Sequence, residues 1–236
     1  MLGAMDMIIE QKKLHSEIIK RADELTTGKV GAITDGIFVT KEGKEFYTNS
    51  DTRIMWILKE PWEKGEKAGD WDLLECMNNT DNIKTISENR TWSFMAKTMY
   101  GIDTGMYYDE MPSMNDGIIK CLKRIAYINI SKLPGEARSN DFVIRQAYSA
   151  WKDILFKQIE AYSPNVIIFG GSFRFFKEDM GILKVVDRTI DGKTNIETHI
   201  YQNERGLYLI DAYHPAYPYH PGVRINSLID LVRNNL

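Results

Sequence analysis

Apolar positions recur along the chain with two different periods. Leu14, Ile18, Ala22 and Leu25 repeat at helical spacing, so residues 7–25 are predicted to form an amphipathic helix ended by Gly28. Residues 37–40 and 44–47 flank Glu42-Gly43, a short hairpin signal. Four apolar runs of strand length follow, none of which alternates with polar residues. Residues 53–58 are the first, stopped by Lys59, Glu60 and Pro61. Residues 125–130 are the second, broken at Pro134-Gly135; residues 166–169 are the third, ending in Gly170-Gly171. Residues 207–210 are the fourth and lead into 211–215. Helical segments separate them: 87–100 with Ser87 as candidate cap, 115–124, and 141–162. The last is the clearest, with Phe142, Ile144, Tyr148, Trp151, Leu155 and Ile159 as its apolar face and Ser163-Pro164 as its stop. A short helix starts at 173–176, Asp191-Gly192 and 204–206 read as turns, and residues 224–233 form a final helix.

Apolar strands separated by helices predict βαβ units. Non-alternating strands are expected when helices cover both faces of a parallel sheet. The predicted fold is therefore α/β, a three-layer α/β/α sandwich around a mostly parallel four-stranded sheet. It forms a single domain over 1–236, with 1–50 as an N-terminal helix and hairpin extension. In such sheets ligands bind beyond the carboxyl ends of the strands. Just past those ends lie Glu60, Asn129, Gly170-Gly171 and His214. An acid, an amide, a glycine pair and a histidine thus converge on one edge.

Composition narrows the class. The 236 residues are 43% hydrophobic with a net charge of −3, too apolar and too neutral for a disordered chain. No run approaches the roughly 18 apolar residues that span a bilayer, and Met1 to Ile9 carries Asp6 without a basic start, a poor signal peptide. No membrane partner and a cytoplasmic location are therefore expected. Only two cysteines are present, Cys76 and Cys121, which excludes a four-cysteine metal or iron–sulfur site and suits a reducing compartment. No motif calls for a cofactor or a metal: GxGxxG, GxxxxGKS, GxSxG and HExxH are all missing. Charge is uneven, however. Residues 120–157 hold eight Lys and Arg against Glu136, Asp141 and Asp153, a segment of +5 in a remainder of −8. That segment is either a nucleic-acid-facing surface or a solvated face.

Each candidate has a structural alternative. Glu60 precedes Pro61-Trp62 and can orient or deprotonate water, or can cap a turn. Asn129 interrupts an apolar strand, where a polar side chain costs stability unless paired. It can read the edge of a planar ligand, or bond to neighbouring backbone. His214 lies in a segment dense with tyrosines that holds three of the seven prolines, Pro215, Pro218 and Pro221. Such a loop is rigid enough to hold a catalytic side chain or to be capped by one. His220 is a weaker candidate; His15 and His199 are read as surface groups. Tryptophans are mostly core by type, with Trp62 excepted for its polar neighbours.

Taken in order, 58–62 (Leu-Lys-Glu-Pro-Trp), 127–131 (Tyr-Ile-Asn-Ile-Ser), 163–170 (Ser-Pro-Asn-Val-Ile-Ile-Phe-Gly) and 214–217 (His-Pro-Ala-Tyr) resemble the uracil-DNA glycosylase superfamily over roughly residues 53–233. Leu58 and Lys59 depart from the small residues that usually open the first motif, and Ala216 stands where that family has Ser. The missing cysteines exclude the iron–sulfur branch. The resemblance implies a water-handling acid at Glu60, a uracil-reading amide at Asn129 and a catalytic histidine at His214. It further implies a ring stacked on the base, Trp62 or Phe94, and a DNA-contacting loop with Pro215, Tyr217 and Tyr219. Lys123, Arg124 and Lys132 are the expected phosphate contacts. The implied partner is DNA, single- or double-stranded and weakly bound; nothing in the sequence speaks to oligomeric state. Two alternatives remain open at this point: a nucleic-acid-binding protein without turnover, and a hydrolase of a small nucleoside-like metabolite.

Overall fold

The computed structural model describes residues 3–63, 68–78, 83–136 and 139–236, excluding the side chains of 76–78. Arg138 and the Cys76 side chain, both used above, lie outside the described residues. The chain runs α1 (Ala4–Thr26), β1 (Ile33–Thr34), β2 (Gly36–Ile37), β3 (Ile54–Leu58), β4 (Trp71–Asp72), α2 (Leu73–Asn78), α3 (Ile83–Glu88) and α4 (Arg90–Thr104). It continues through α5 (Asp116–Lys120), β5 (Ala126–Asn129), α6 (Asp141–Tyr162), β6 (Val166–Gly170) and α7 (Phe173–Phe176). β7 (Leu183–Ile190), β8 (Glu197–Asn203), β9 (Tyr208–Ala212) and α8 (Pro221–Asn235) complete it.

The four apolar runs become β3, β5, β6 and β9, which lie parallel in the order β5-β3-β6-β9. Their lack of alternation has the expected cause. Ile54, Trp56 and Leu58 of β3 join a core built with α4 and α8, while Met55 and Ile57 join one built with α1 and α6. Every residue of β3 and β6 is buried. The class is thus α/β, but among the described residues the sheet has seven strands, not four. β2 adds antiparallel to β5 at one edge, and β8 then β7 add antiparallel beyond β9. β7 escapes a periodicity search because Lys184, Asp187 and Arg188 interrupt its apolar residues. It is an outer strand with a bulge between Val185 and Asp187, a feature common at sheet edges.

The N-terminal segment is more than an extension. Met7, Leu14, Ile18 and Ala22 of α1 are core residues, and the expected hairpin reduces to one bridge, Val39 to Glu45. The turn between β1 and β2 carries Asp35 into the interior. There its carboxylate accepts from Lys132 Nζ (2.7 and 2.9 Å), Gln158 Nε2 (2.8 Å) and the Asn129 backbone N–H (2.8 Å). Lys132 is wholly buried, which corrects its reading as a phosphate contact. An ammonium taken out of water needs a counter-charge, and Asp35 supplies it.

Two helix readings also change. Asn89, not Ser87, caps α4 by accepting from the Trp92 N–H, and Ser87 belongs to the preceding helix α3. Phe142 is exposed, so the buried face of α6 starts at Ile144. Among the described residues no helix is long and apolar enough to cross a membrane.

Candidate functional site

A cleft of about 670 Å³ opens at the carboxyl edge of the parallel strands and is lined by Lys59, Glu60, Trp62 and His214 together with Trp71, Trp92 and Tyr127. Its first wall is the segment after β3. That segment stays paired with the chain leaving β5: Ile130 N–H donates to Leu58 O (3.0 Å), Ser131 N–H to Lys59 O (2.9 Å) and Gly135 N–H to Pro61 O (2.8 Å). A Cβ at Gly135 would meet the Glu60 carboxyl, so any larger residue there would displace the end of the Glu60 side chain. The carboxyl is half-buried, and burial raises its pKa against the opposing pull of Ser139 and Lys59. Trp62 is exposed at the cleft's rim.

The second wall follows β9. His214 Nδ1 accepts the Ala216 N–H (3.1 Å), so the neutral ring carries its proton on Nε2. Burial, with the positive charges of Lys59 and Arg224, pushes the imidazole pKa down to about 4. The ring is therefore uncharged at neutral pH. Nε2–H has no partner among the described residues and is available as a donor in the cleft. Gly171, with φ +71°, brings the two walls together: the Lys59 stem and the His214 backbone both pack beside it. Gly170 packs against Leu58 and Pro215, so this glycine pair closes a junction and does not cradle a phosphate.

Arg224 braces the whole second wall. Read from sequence only as a helix start, it is 3% exposed, and its guanidinium donates to the carbonyls of His214 (3.0 Å), Tyr217 and Tyr219 (3.1 Å). It also lies 4.6 Å over the Phe94 ring. Phe94 is accordingly a core residue, edge-on to Trp56, which corrects its reading as a stacking group. Trp92, two residues earlier on α4, lines the cleft in its place. The family resemblance suggests Phe94, and it does not say which aromatic of α4 faces the cleft.

Asn129 occupies a different situation from Glu60 and His214. It pairs in register with Leu58, and as i+2 to Tyr127 it faces the same side of the sheet. It is fully buried, and among the described residues neither its amide nitrogen nor its oxygen has a partner in hydrogen-bond geometry, although the amide lies close enough to the Tyr127 phenol to oppose the rise in its pKa. Tyr127, whose phenol burial pushes up in pKa, lines the cleft, whereas Asn129 does not. Glu60 and His214 thus share one cleft, with Asn129 behind its wall.

The expected phosphate contacts lie elsewhere. Lys123 and Arg124 precede β5 and sit at the opposite end of the strand from Asn129, on the order of 15 Å from the cleft edge. Arg124 pairs with Asp103 (2.6 Å) and Lys123 lies over the Phe38 ring (4.9 Å). Pro215 is buried, while Tyr217 and Tyr219 are exposed. His220 caps nothing with its side chain, though its backbone opens α8. His15 is not a surface group: its Nε2 meets Asp35 O (3.0 Å) and its Nδ1 lies 3.4 Å from Asp72. His199 is partly buried beside Glu197. Among the described residues no three His, Cys, Asp or Glu side chains form a metal-holding group. No family model matches the chain, and no curated protein matches it in sequence.

Proposed function

We propose that the chain is a DNA base glycosylase-like protein on a uracil-DNA glycosylase-like scaffold, hydrolysing the N-glycosidic bond of uracil or a related damaged base. One observation supports this most: Glu60 and a neutral His214 face the same cleft from strands β3 and β9, on either side of β6. Breaking the bond between deoxyribose and base leaves positive charge on the sugar and negative charge on the departing base. Glu60, as carboxylate, offsets the first charge and orients the attacking water. His214 donates Nε2–H to a carbonyl oxygen of the base and stabilises the second charge without giving up its proton. Burial, with the positive charge of Lys59, keeps the imidazole unprotonated. Tryptophans 62 and 92 supply flat faces for an extruded base, whose removal from the stack costs a few kcal/mol. Asn129 would read the imide edge once Tyr127 moves aside.

The test is excision from uracil-containing single- and double-stranded oligonucleotides at low salt, with abasic sites revealed by alkali. Excision from either substrate is expected; none from any uracil substrate would reject the reading. The buried state of Asn129 favours a second reading, a nucleic-acid-binding protein on the same scaffold that performs no turnover. Retained uracil-oligonucleotide binding without strand breakage after alkali is its signature.

A further inference from the structure

Two surface features adjoin the cleft that the chemistry above does not use. The first is a ladder of tyrosines on the second wall. Tyr213 and Tyr217 stack with ring centroids 5.2 Å apart at 28°, and Tyr219 meets Tyr217 edge-on at 5.4 Å. All three are exposed, at 42%, 40% and 61%. Exposed aromatic rings held this way are unusual, since the same area would be stabilised by burial. The backbone that carries them is immobilised by Pro215, Pro218 and the three Arg224 hydrogen bonds, so little entropy is lost when a ligand stacks on them.

The second feature is a pocket of about 230 Å³ on the far side of the same loop, sharing Tyr217 and Pro218 with the main cleft. Its lining includes Arg90, Lys97 and Arg224 with the Ser93 hydroxyl, and no carboxylate. Nearby acids are otherwise engaged: Glu88 faces Lys84 (3.9 Å) and Glu110 accepts the Tyr107 N–H (2.9 Å). The Arg90 side chain has no ion-pair or hydrogen-bond partner among the described residues, and Lys97 Nζ rests 4.5 Å over the Tyr108 ring. Arg224 spends its donors on the loop, so it contributes field and not contact. In a chain of net charge −3, three cations without an acid in one pocket are a local exception that suits an anion.

We infer that this loop binds a single strand of DNA, with unpaired bases stacked on the tyrosine ladder and a backbone phosphate held by Arg90 and Lys97. The inference rests on the base-cleaving reading only in naming DNA as the polymer. Rings stack on base faces, which a duplex keeps inside its own stack and a single strand exposes. The substrate at this cleft is accordingly single-stranded, and the strand reaches His214 across Tyr217.

The test is fluorescence anisotropy with uracil-free oligo(dT) of about 12 nucleotides, within the usual single-strand site size, against a hairpin duplex of equal length. The single strand should bind at least tenfold tighter. Changing both Tyr213 and Tyr219 to Ala should cost roughly tenfold or more, while changing both to Phe should not, because stacking needs the ring and not the hydroxyl. Arg90→Ala with Lys97→Ala should lower the salt slope by roughly 0.7 per lost phosphate contact. Duplex binding equal to or tighter than single-strand binding, or Ala variants that bind as wild type, would overturn the inference. Circular dichroism melts keep misfolding apart from lost contact. Ladder-dependent binding of this uracil-free probe, together with no excision from uracil-containing oligonucleotides, would defeat the base-cleaving reading alone. Excision from duplex that ignores the ladder would defeat this inference alone.

Discussion

Two polar groups meet at Asn129 and are treated in opposite ways. Behind its backbone lies the Asp35 carboxylate, fully buried and saturated by Lys132, Gln158 and the Asn129 N–H. On its side-chain face lies an amide, equally buried, whose two polar atoms have no partner in hydrogen-bond geometry among the described residues, with the Tyr127 phenol close by. Buried polar groups are normally satisfied, so an orphan costs about 1–3 kcal/mol. The contrast separates scaffold from site. The Asp35 cluster ties β2, β5 and α6 together, and its polarity is spent within the protein. The polarity of Asn129, the Nε2–H of His214 and the half-buried Glu60 carboxyl is not spent in that network, and all three lie at or behind one cleft.

Breaking the saturated side of this comparison should have the largest effect. Lys132→Met leaves Asp35 as an unpaired buried charge and should destabilise by about 3–5 kcal/mol in urea unfolding. Adding Asp35→Leu to Lys132→Met should recover much of that loss. A loss under ~1 kcal/mol for Lys132→Met alone would mean that the pair does not organise the interior.

Next in size is a pH effect on the unsaturated side. The folded pKa of His214 is pushed down to about 4 from the ordinary 6.5, so the unfolded chain binds a proton that the folded chain refuses between these values. Its contribution is therefore fully present above pH 6.5 and lost as pH falls toward 4, by ~3 kcal/mol at most. His214→Gln should flatten stability in that window, measured by thermal melts across pH 4–7. An unchanged slope would place the acid sensitivity in other groups.

The smallest effect has the opposite sign. Asn129→Leu replaces the orphan amide with an apolar group of similar branching and should stabilise by about 1 kcal/mol, while abolishing discrimination between uracil and cytosine. A destabilised variant would show that the amide already has partners in solution.

These same residues explain what was legible in the sequence. The four parallel strands and their carboxyl-end residues could be read because burial on both faces writes uninterrupted apolar runs. Glu60 and His214 follow from that rule alone. Lys132 could not, because its partner Asp35 is 97 residues away in the chain and a lysine in a basic stretch looks solvated. Phe94 comes from the family resemblance, which does not say which aromatic of α4 faces the cleft; that place belongs to Trp92. Arg224 escaped notice because its acceptors are backbone carbonyls, which leave no trace in composition. The β7–β8 hairpin was missed because an edge strand need not be apolar.

The central claim is that Glu60 and His214 act on charge that develops only as the glycosidic bond breaks. Single-turnover excision by wild type, His214→Ala and Glu60→Gln, with substrate affinity measured in parallel, tests it most directly. The expected result is a rate lower by about 10²–10³ in each variant, with affinity changed little. Excision by His214→Ala at the wild-type rate, or losses of affinity that match the losses of rate, would contradict it.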